Sequence, residues 1–441
     1  MPSSIEYLKS LPAVRQRASS VYALGQSGKL QHFTLDESKL GTVADYVVSL
    51  IARDHGTLSA VPPHGRWRSY NVSIAGASRD LVSEMAQEWR AQGVDAWECA
   101  RRTVDLFVVS VLIDAGAGSR WAYEDREAGR LTRTEGLGFA ALRMFQAGAF
   151  SSSPGAPCQA DSHALVRLAD ETLLDGFQVS RENPLLGAEN RAELLRRLGY
   201  ALEQQGEFFA PPVELKDARP RPGFLLDYLA RRRAASGRVE IGDLWRAIVV
   251  GLAPVWPASR TQLDGQSLGD VWPCTTLVAA VAAGDTTDAL VPFHKLSQWL
   301  CWSLLEVVVR LGGFEVEGTE QLTGLPEYRN GGLLVDMGVL TLHKEDRERG
   351  LQHPEASEDV PLFDGSDPVI VEWRALTVAL LDRVAEGVKE RCCKDGEDVP
   401  DMLLARVLEG GTWKAGREIA ARLRPESKDP PINIVSDGTL F

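Results

Sequence analysis

No uncharged apolar run in the chain reaches the roughly 18 residues that a membrane-spanning helix needs, so no membrane span is expected. Cysteine is sparse. The six residues, Cys99, Cys158, Cys274, Cys301, Cys392 and Cys393, form no C-x-x-C pair. That spacing argues against a zinc site and for a reducing compartment. The opening "MPSSIEYLKSLPAV" lacks the apolar stretch of a secretory signal, which agrees with a cytoplasmic location. Positive charge is also short: 48 Lys and Arg stand against 61 Asp and Glu, a net −13. An acidic surface repels polyanions, so a nucleic-acid partner is not expected. A local basic pocket for one small phosphate is compatible with that balance. The glycine signatures of classical nucleotide folds, G-x-G-x-x-G after a strand and G-x-x-x-x-G-K-[ST], are absent.

What is present is helical periodicity. Hydrophobic residues make up 44% of 441, enough for a large core in two or three domains or one two-lobed body. Apolar residues recur at three and four spacing over 95–115, 133–147, 187–205 and 292–311, with Pro292 suited to a first helical turn. Residues 370–391 and 401–422 read as a C-terminal helical pair. "LLVDMGVLTL" fits strand or helix. Alternating strand patterns are otherwise scarce, so the fold class is mainly α with minor β at most. Proline, glycine and serine clusters mark loops at 60–66, 151–157, 210–223, 253–273 and 425–432. The expected division is an N-terminal helical segment 1–60, a core 61–350 and a C-terminal helical extension 351–441 packed on it.

"GQSLG" at 265–269 matches the nucleophile elbow, yet lacks the strand before and the helix after that the motif requires. A glycine-rich loop is the better reading; Asp264, Asp270 and Trp272 around it line either a pocket or a solvated loop. "FHKLSQW" puts four polar groups into an otherwise apolar helix, and burying them is costly unless they are paired. His294 and Gln298 share one face, with Lys295, Trp299 and Ser303 on a second row. The bland alternatives are a satisfied boundary histidine and a snorkelling lysine. Asp114 either caps a helix or binds a ligand, and Arg66 and Trp67 lie in a loop that is either a ligand clamp or a surface turn. In "GLPEYRNGGLLVD" (324–336), "LPEYR" resembles a tight hairpin before a helix over 328–340. Gly331 and Gly332 would weaken that helix by about 1 kcal/mol each. Close backbone approach or an Asn-Gly turn accounts for them.

Taken together, "PPHGRW", "SVLIDAGAG", "TEGLGFA", "FHKLSQWL", "LTGLPEYRNGGLLVDMGVL", "GGTWKAGREIA" and the ending "SDGTLF" resemble one family over almost the whole chain. That family is catalogued mainly as a domain of unknown function. Its fungal members belong to the pathway that degrades uracil through ring opening and a ribosylurea intermediate. A more distant resemblance is to the queuosine-salvage N-glycosylases. "IDAGAGSRW" is similar to their D-x-x-N-F-x-x-W segment, without its Asn and Phe. "FHKLSQWL" resembles F-x-K-R-A-Q-x-L, and "EYRNGGLLVDMGVL" resembles D-Y-R followed by an apolar run. "TEGLGFAALRMFQAG" and "NPLLGAENRAELLRRLGYAL" resemble further helices of that family, the second only approximately.

The resemblance implies a two-lobed helical fold similar to helix-hairpin-helix DNA glycosylases and a hydrolase of N-ribosyl bonds acting on ribosylurea or its 5′-phosphate. By that match Glu327 is the catalytic carboxylate, and Tyr328 or His294 orients water or protonates the leaving nitrogen. Arg329 and Lys295 would hold a phosphate, and Asp114 ribose hydroxyls. Gln298, Asn330, Asp336, Trp299, Ser303, Arg66 and Trp67 complete the expected substrate-binding set. Ser303 is a departure, standing where the glycosylases have a second Asp, and Asp336 is the candidate substitute. The implied partner is a small ribosyl or ribosyl-phosphate substrate, with no metal and no other cofactor. The competing readings are a non-catalytic helical scaffold and uracil phosphoribosyl transfer. The latter calls for paired acids and a phosphate loop that the chain lacks.

Overall fold

The computed structural model describes residues 3–74, 76–118, 120–257, 260–280, 286–393 and 399–435; "SDGTLF" lies outside them. The chain is mainly helical. Its helices include α1 (Leu11–Gln26), α2 (Leu40–His55), α3 (Ala96–Leu112), α4 (Arg133–Gln146), α5 (Ala188–Gln204), α6 (Lys295–Arg310), α7 (Tyr328–Asp336), α8 (Pro368–Cys392) and α9 (Trp413–Leu423). Strands are short and, among the described residues, pair only two by two.

The described residues divide into two compact units. The first holds 3–64, 260–298 and 319–435; the second holds 65–257 and 299–318. The segments 1–60 and 351–435 thus belong to the same unit, and the border at Gln298 and Trp299 falls within α6.

In the first unit α8 is the central element. Asp367 caps it by accepting from the Val369 amide, and Pro368 occupies its first turn, where a missing N–H costs nothing. Apolar residues surround it on every side: Val369, Ile370, Val371, Trp373, Leu376, Leu380, Val384 and Val388 are all buried. A helix apolar all round must be enclosed, and here α1, α2 and α7 pack on it. Strands β1 (Phe33–Leu35) and β2 (Leu340–Leu342) pair antiparallel at the edge of this core.

The second unit is built on α3, whose residues from Val104 to Leu112 are all buried. Trp67 meets Phe107 edge to face at 6.0 Å, and α4 and α5 pack on α3.

The periodic segments 95–115, 133–147, 187–205 and 370–391 became helices with boundaries shifted by a few residues. Three expectations change. Pro292 ends a strand, Leu290–Pro292, and α6 begins only at Lys295, because His294 adopts a left-handed φ of 46° that no helix continues. The segment 328–340 divides: α7 stops at Asp336, Gly338 turns with φ 77°, and β2 follows. The segment 401–422 contains a π-turn, Leu408–Thr412, between Leu403–Val407 and α9. "GQSLG" is a hairpin: Gln262–Leu263 pairs with Gln266–Ser267 across Asp264 and Gly265, both at positive φ. That turn is not the strand-to-helix corner of a nucleophile elbow.

Candidate functional site

Glu327 is the N-cap of α7. Its extended backbone turns the side chain back so that Oε2 accepts from the amides of Arg329 at 2.7 Å and Asn330 at 3.3 Å. This is the usual geometry of an acidic cap at the positive end of a helix. The side chain is partly buried, and that burial pushes the carboxyl above the ordinary glutamate range. The charges of Lys295 and Arg329, and then the two amides, pull it back. Lys295 and Arg329 are therefore the cations that act on Glu327.

The residues after Glu327 are tied down. Tyr328 is partly exposed, and the Arg329 guanidinium lies 5.1 Å from its ring centre. Arg329 is itself buried and donates from Nη1 to the Lys428 carbonyl at 2.9 Å. Asn330 donates from Nδ2 to the Leu325 carbonyl at 3.1 Å and accepts from Thr412 Oγ1 at 3.0 Å. The two glycines are explained by contact. A Cβ on Gly331 would lie 2.8 Å from Thr377 Oγ1 and from Trp373, and one on Gly332 2.9 Å from Pro431. Asp336 sits at the other end of α7, about 12 Å along the axis, paired with Arg424 at 3.0 Å. It is not grouped with Glu327.

A buried ion pair positions the start of α6. Asp270 accepts both η-nitrogens of Arg374, at 2.9 and 2.7 Å, and the Trp272 indole at 2.6 Å. Its Oδ2 also caps the Lys295 amide at 2.9 Å. His294 bends into this turn with Nε2 2.9 Å from the Leu8 carbonyl, and burial lowers its pKa. One turn on, Gln298 is wholly buried. Its Oε1 accepts from the Thr323 amide at 3.3 Å, while Nε2 has no partner among the described residues. A buried donor without an acceptor is costly unless something supplies one.

In the second unit Arg66 is fully buried. Its amide donates to Ser303 Oγ at 3.0 Å, Nη2 reaches the Ser110 carbonyl at 3.2 Å, and Nη2 pairs with Asp114 Oδ2 at 2.5 Å. The guanidinium lies 5.8 Å from the Trp299 ring centre. Ser303 also donates to the Trp299 carbonyl at 2.8 Å. Ser303 therefore anchors the "PPHGRW" loop, and a Cβ on Gly65 would lie 3.3 Å from Ser303 Cα. Trp67 is a core residue whose indole N–H donates to Asp80 at 2.9 Å.

Sequence reasoning missed Arg374 and Arg191. Arg191 gathers the loop around Asp114: it donates to the carbonyls of Ile113 at 3.0 Å, Ala115 at 2.6 Å and Gly116 at 2.9 Å. The signal was available, since Arg191 shares a helix face with Leu194, Leu195 and Leu198. An arginine in an apolar stripe must find acceptors.

An open cleft of about 720 Å³ elsewhere in the first unit is lined by Tyr7, Arg15, Arg17 and Gln321. Its arginines are already paired with Asp382 and Asp288, and it includes none of the residues above.

The family described as "Protein of unknown function (DUF1688)" matches residues 7–441. The chain is 40% identical over 450 residues to "Uracil catabolism protein 4" of Lachancea kluyveri, covering 99% of each chain. It is 42% identical over 440 residues to "Protein urg3" of Schizosaccharomyces pombe, again covering 99% of each.

Proposed function

From the premise that the chain belongs to the DUF1688 family, we propose that it acts in uracil catabolism as an N-ribosyl hydrolase. The proposed substrate is ribosylurea or its 5′-phosphate. The supporting observation is Glu327, a carboxylate lifted by burial, fixed by two amides and acted on by Lys295 and Arg329. The name of the Lachancea relative, uracil catabolism protein 4, supports the pathway.

Hydrolysis breaks the bond from C1′ to the urea nitrogen and builds positive charge on the sugar, as in glycoside hydrolysis. Glu327 stabilises that charge and takes the proton of the attacking water. Both helix amides bind Oε2, which leaves Oε1 as the oxygen that faces the chemistry. Arg329 spends one η-nitrogen on Lys428 and shapes the field at Glu327. Lys295 is the proposed cation for a 5′-phosphate. Gln298 Nε2 donates to a substrate oxygen. Water adds to C1′, and urea leaves with one proton.

The deciding experiment incubates the purified protein with ribosylurea and with ribosylurea 5′-phosphate and measures urea and reducing sugar. Release of both in equal amounts from either form is expected. No turnover of either form removes the proposal and favours a non-catalytic role.

A further inference from the structure

Three side chains that the chemistry above does not use meet in the first unit. His32 stands just before β1, Asp346 on the helix Lys344–Leu351, and Thr275 at the head of the short helix Thr275–Val278. His32 Nδ1 lies 2.9 Å from Asp346 Oδ2, and His32 Nε2 lies 3.4 Å from Thr275 Oγ1. The order is carboxylate, imidazole, hydroxyl. The side chains of His32 and Asp346 are each 15% exposed and Thr275 is partly exposed, so solvent reaches the group.

The arrangement is held by Glu372 of α8, which is wholly buried. Its Oε1 accepts from the amides of His32 at 2.9 Å and Phe33 at 3.0 Å. Its Oε2 accepts from the Gln31 amide at 3.0 Å and from the Thr276 hydroxyl. One carboxylate thus fixes the backbone of His32 and the residue next to Thr275. Burying a carboxylate is costly unless donors surround it, and here that burial sets two distant segments in one register. Asp346 is oriented as well, because its other oxygen accepts from Arg349 Nη2 at 3.1 Å. An ion pair alone would leave His32 Nε2 to water; here a hydroxyl stands at it.

We propose that Thr275 is a nucleophile activated by His32, and that the group is an acyl-transfer site for small carboxylic esters. The inference is independent of the N-ribosyl hydrolase reading. An ionised carboxylate only accepts, so Asp346 keeps a proton on Nδ1 and leaves the Nε2 lone pair facing the Thr275 hydroxyl. That is the division of roles in a triad of nucleophile, base and carboxylate. In the step, Thr275 Oγ bonds to the acyl carbon and its proton passes to His32 Nε2. The ester C–O bond breaks with its electron pair on the leaving oxygen, which takes that proton. Water then attacks the acyl-threonine and gives a proton to His32, which returns it to Thr275 Oγ. One ester and one water become one acid and one alcohol. Asp346 is a positioning residue that holds the ring and stabilises the imidazolium.

The test treats the full-length protein with a fluorophosphonate and maps the adduct by peptide mass spectrometry. Labelling of Thr275 is expected. It should be kept in Thr275→Ser, lost in Thr275→Ala and slowed about 10²–10⁴-fold in His32→Gln. Hydrolysis of p-nitrophenyl acetate should fall in parallel. No adduct at Thr275 in the folded wild type overturns the proposal, and so does labelling that His32→Gln leaves at the wild-type rate. Nitrogen-15 NMR of the His32 ring supplies a readout that a merely structural pair would not move. In the neutral ring Nδ1 is expected to carry the proton, and Asp346→Ala should shift it toward Nε2. The opposite tautomer in the wild type removes His32 as the base and overturns the proposal even where a variant fails to fold. Labelling does not depend on ribosylurea turnover, so the two readings fail separately.

Discussion

Arg374 grips Asp270 with two parallel hydrogen bonds, 2.9 and 2.7 Å, and each side chain is 1% exposed. The two residues are 104 positions apart, yet together they fix the turn that delivers Lys295 and Gln298. Removing one partner strands a buried charge, which costs about 3–5 kcal/mol. Arg374→Met is expected to lower unfolding stability by that amount in urea denaturation. The pH dependence has a definite sign. The guanidinium and hydrogen bonds hold the Asp270 carboxyl well below its ordinary value despite burial. Its stabilisation is present above the unfolded pKa and is lost as pH falls through the folded one. The wild type should therefore lose stability in acid more steeply than Asp270→Asn, a difference that urea titrations from pH 6 to pH 2 will show.

Glu327 has the opposite sign. Burial raises its folded-state pKa, so ionising it costs stability as pH rises through that value. Glu327→Gln removes this cost and weakens the cap, and the two effects offset within about 1 kcal/mol. Turnover is expected to fall about 10²–10⁴-fold with the fold intact. In the wild type, the acidic limb of kcat/KM should lie above the ordinary glutamate pKa, and Glu327→Gln should abolish that limb. A limb at the ordinary value, or an active glutamine variant, would remove the carboxylate from the mechanism.

Helix propensity alone recommends replacing Gly331 and Gly416 with alanine, a gain of about 1 kcal/mol each. Packing reverses this. A Cβ on Gly416 would overlap the Arg329 carbonyl, and one on Gly331 would press on Trp373 and Thr377. Overpacking of this kind costs about 1–3 kcal/mol. Gly416→Ala is expected to lower both the melting temperature and kcat, because α9 then pushes on the backbone that carries Arg329. A control at Gly242, which is helical and where an added Cβ meets nothing within 4 Å, should leave kcat unchanged and raise the melting temperature slightly.

These glycines mark the limit of what the sequence alone could disclose. Amphipathic segments such as 133–147 and 187–205 became α4 and α5 nearly as expected, because a 3.6-residue apolar period is a local property. The role of Glu327 as a cap was within reach, since a helix over the following residues was anticipated. The ion pair of Asp270 with Arg374 was not, because nothing local couples residues a hundred positions apart. Nor did the sequence place Asp336, which shares α7 with Glu327 but lies at its opposite end with Arg424. Ser303 is more instructive. The sequence marked it as a missing carboxylate and a substrate-binding candidate, and the structure makes it the post to which the Arg66 amide is tied.

Arg191 gives the last prediction. It holds the carbonyls of Ile113, Ala115 and Gly116 on either side of Asp114, and burial lowers its pKa to about 10. A guanidinium that donates to several carbonyls at once needs its planar fork, which lysine cannot supply. Arg191→Lys is expected to keep the fold and loosen the Asp114 loop. If Asp114 binds ribose hydroxyls, KM should then rise several-fold while kcat changes little. Arg191→Met leaves those carbonyls without donors and should cost roughly 2–4 kcal/mol of stability in addition. Equal falls in kcat and kcat/KM for Arg191→Lys would show instead that Asp114 acts in the transition state, and would move it from substrate binding to the bond-breaking step itself.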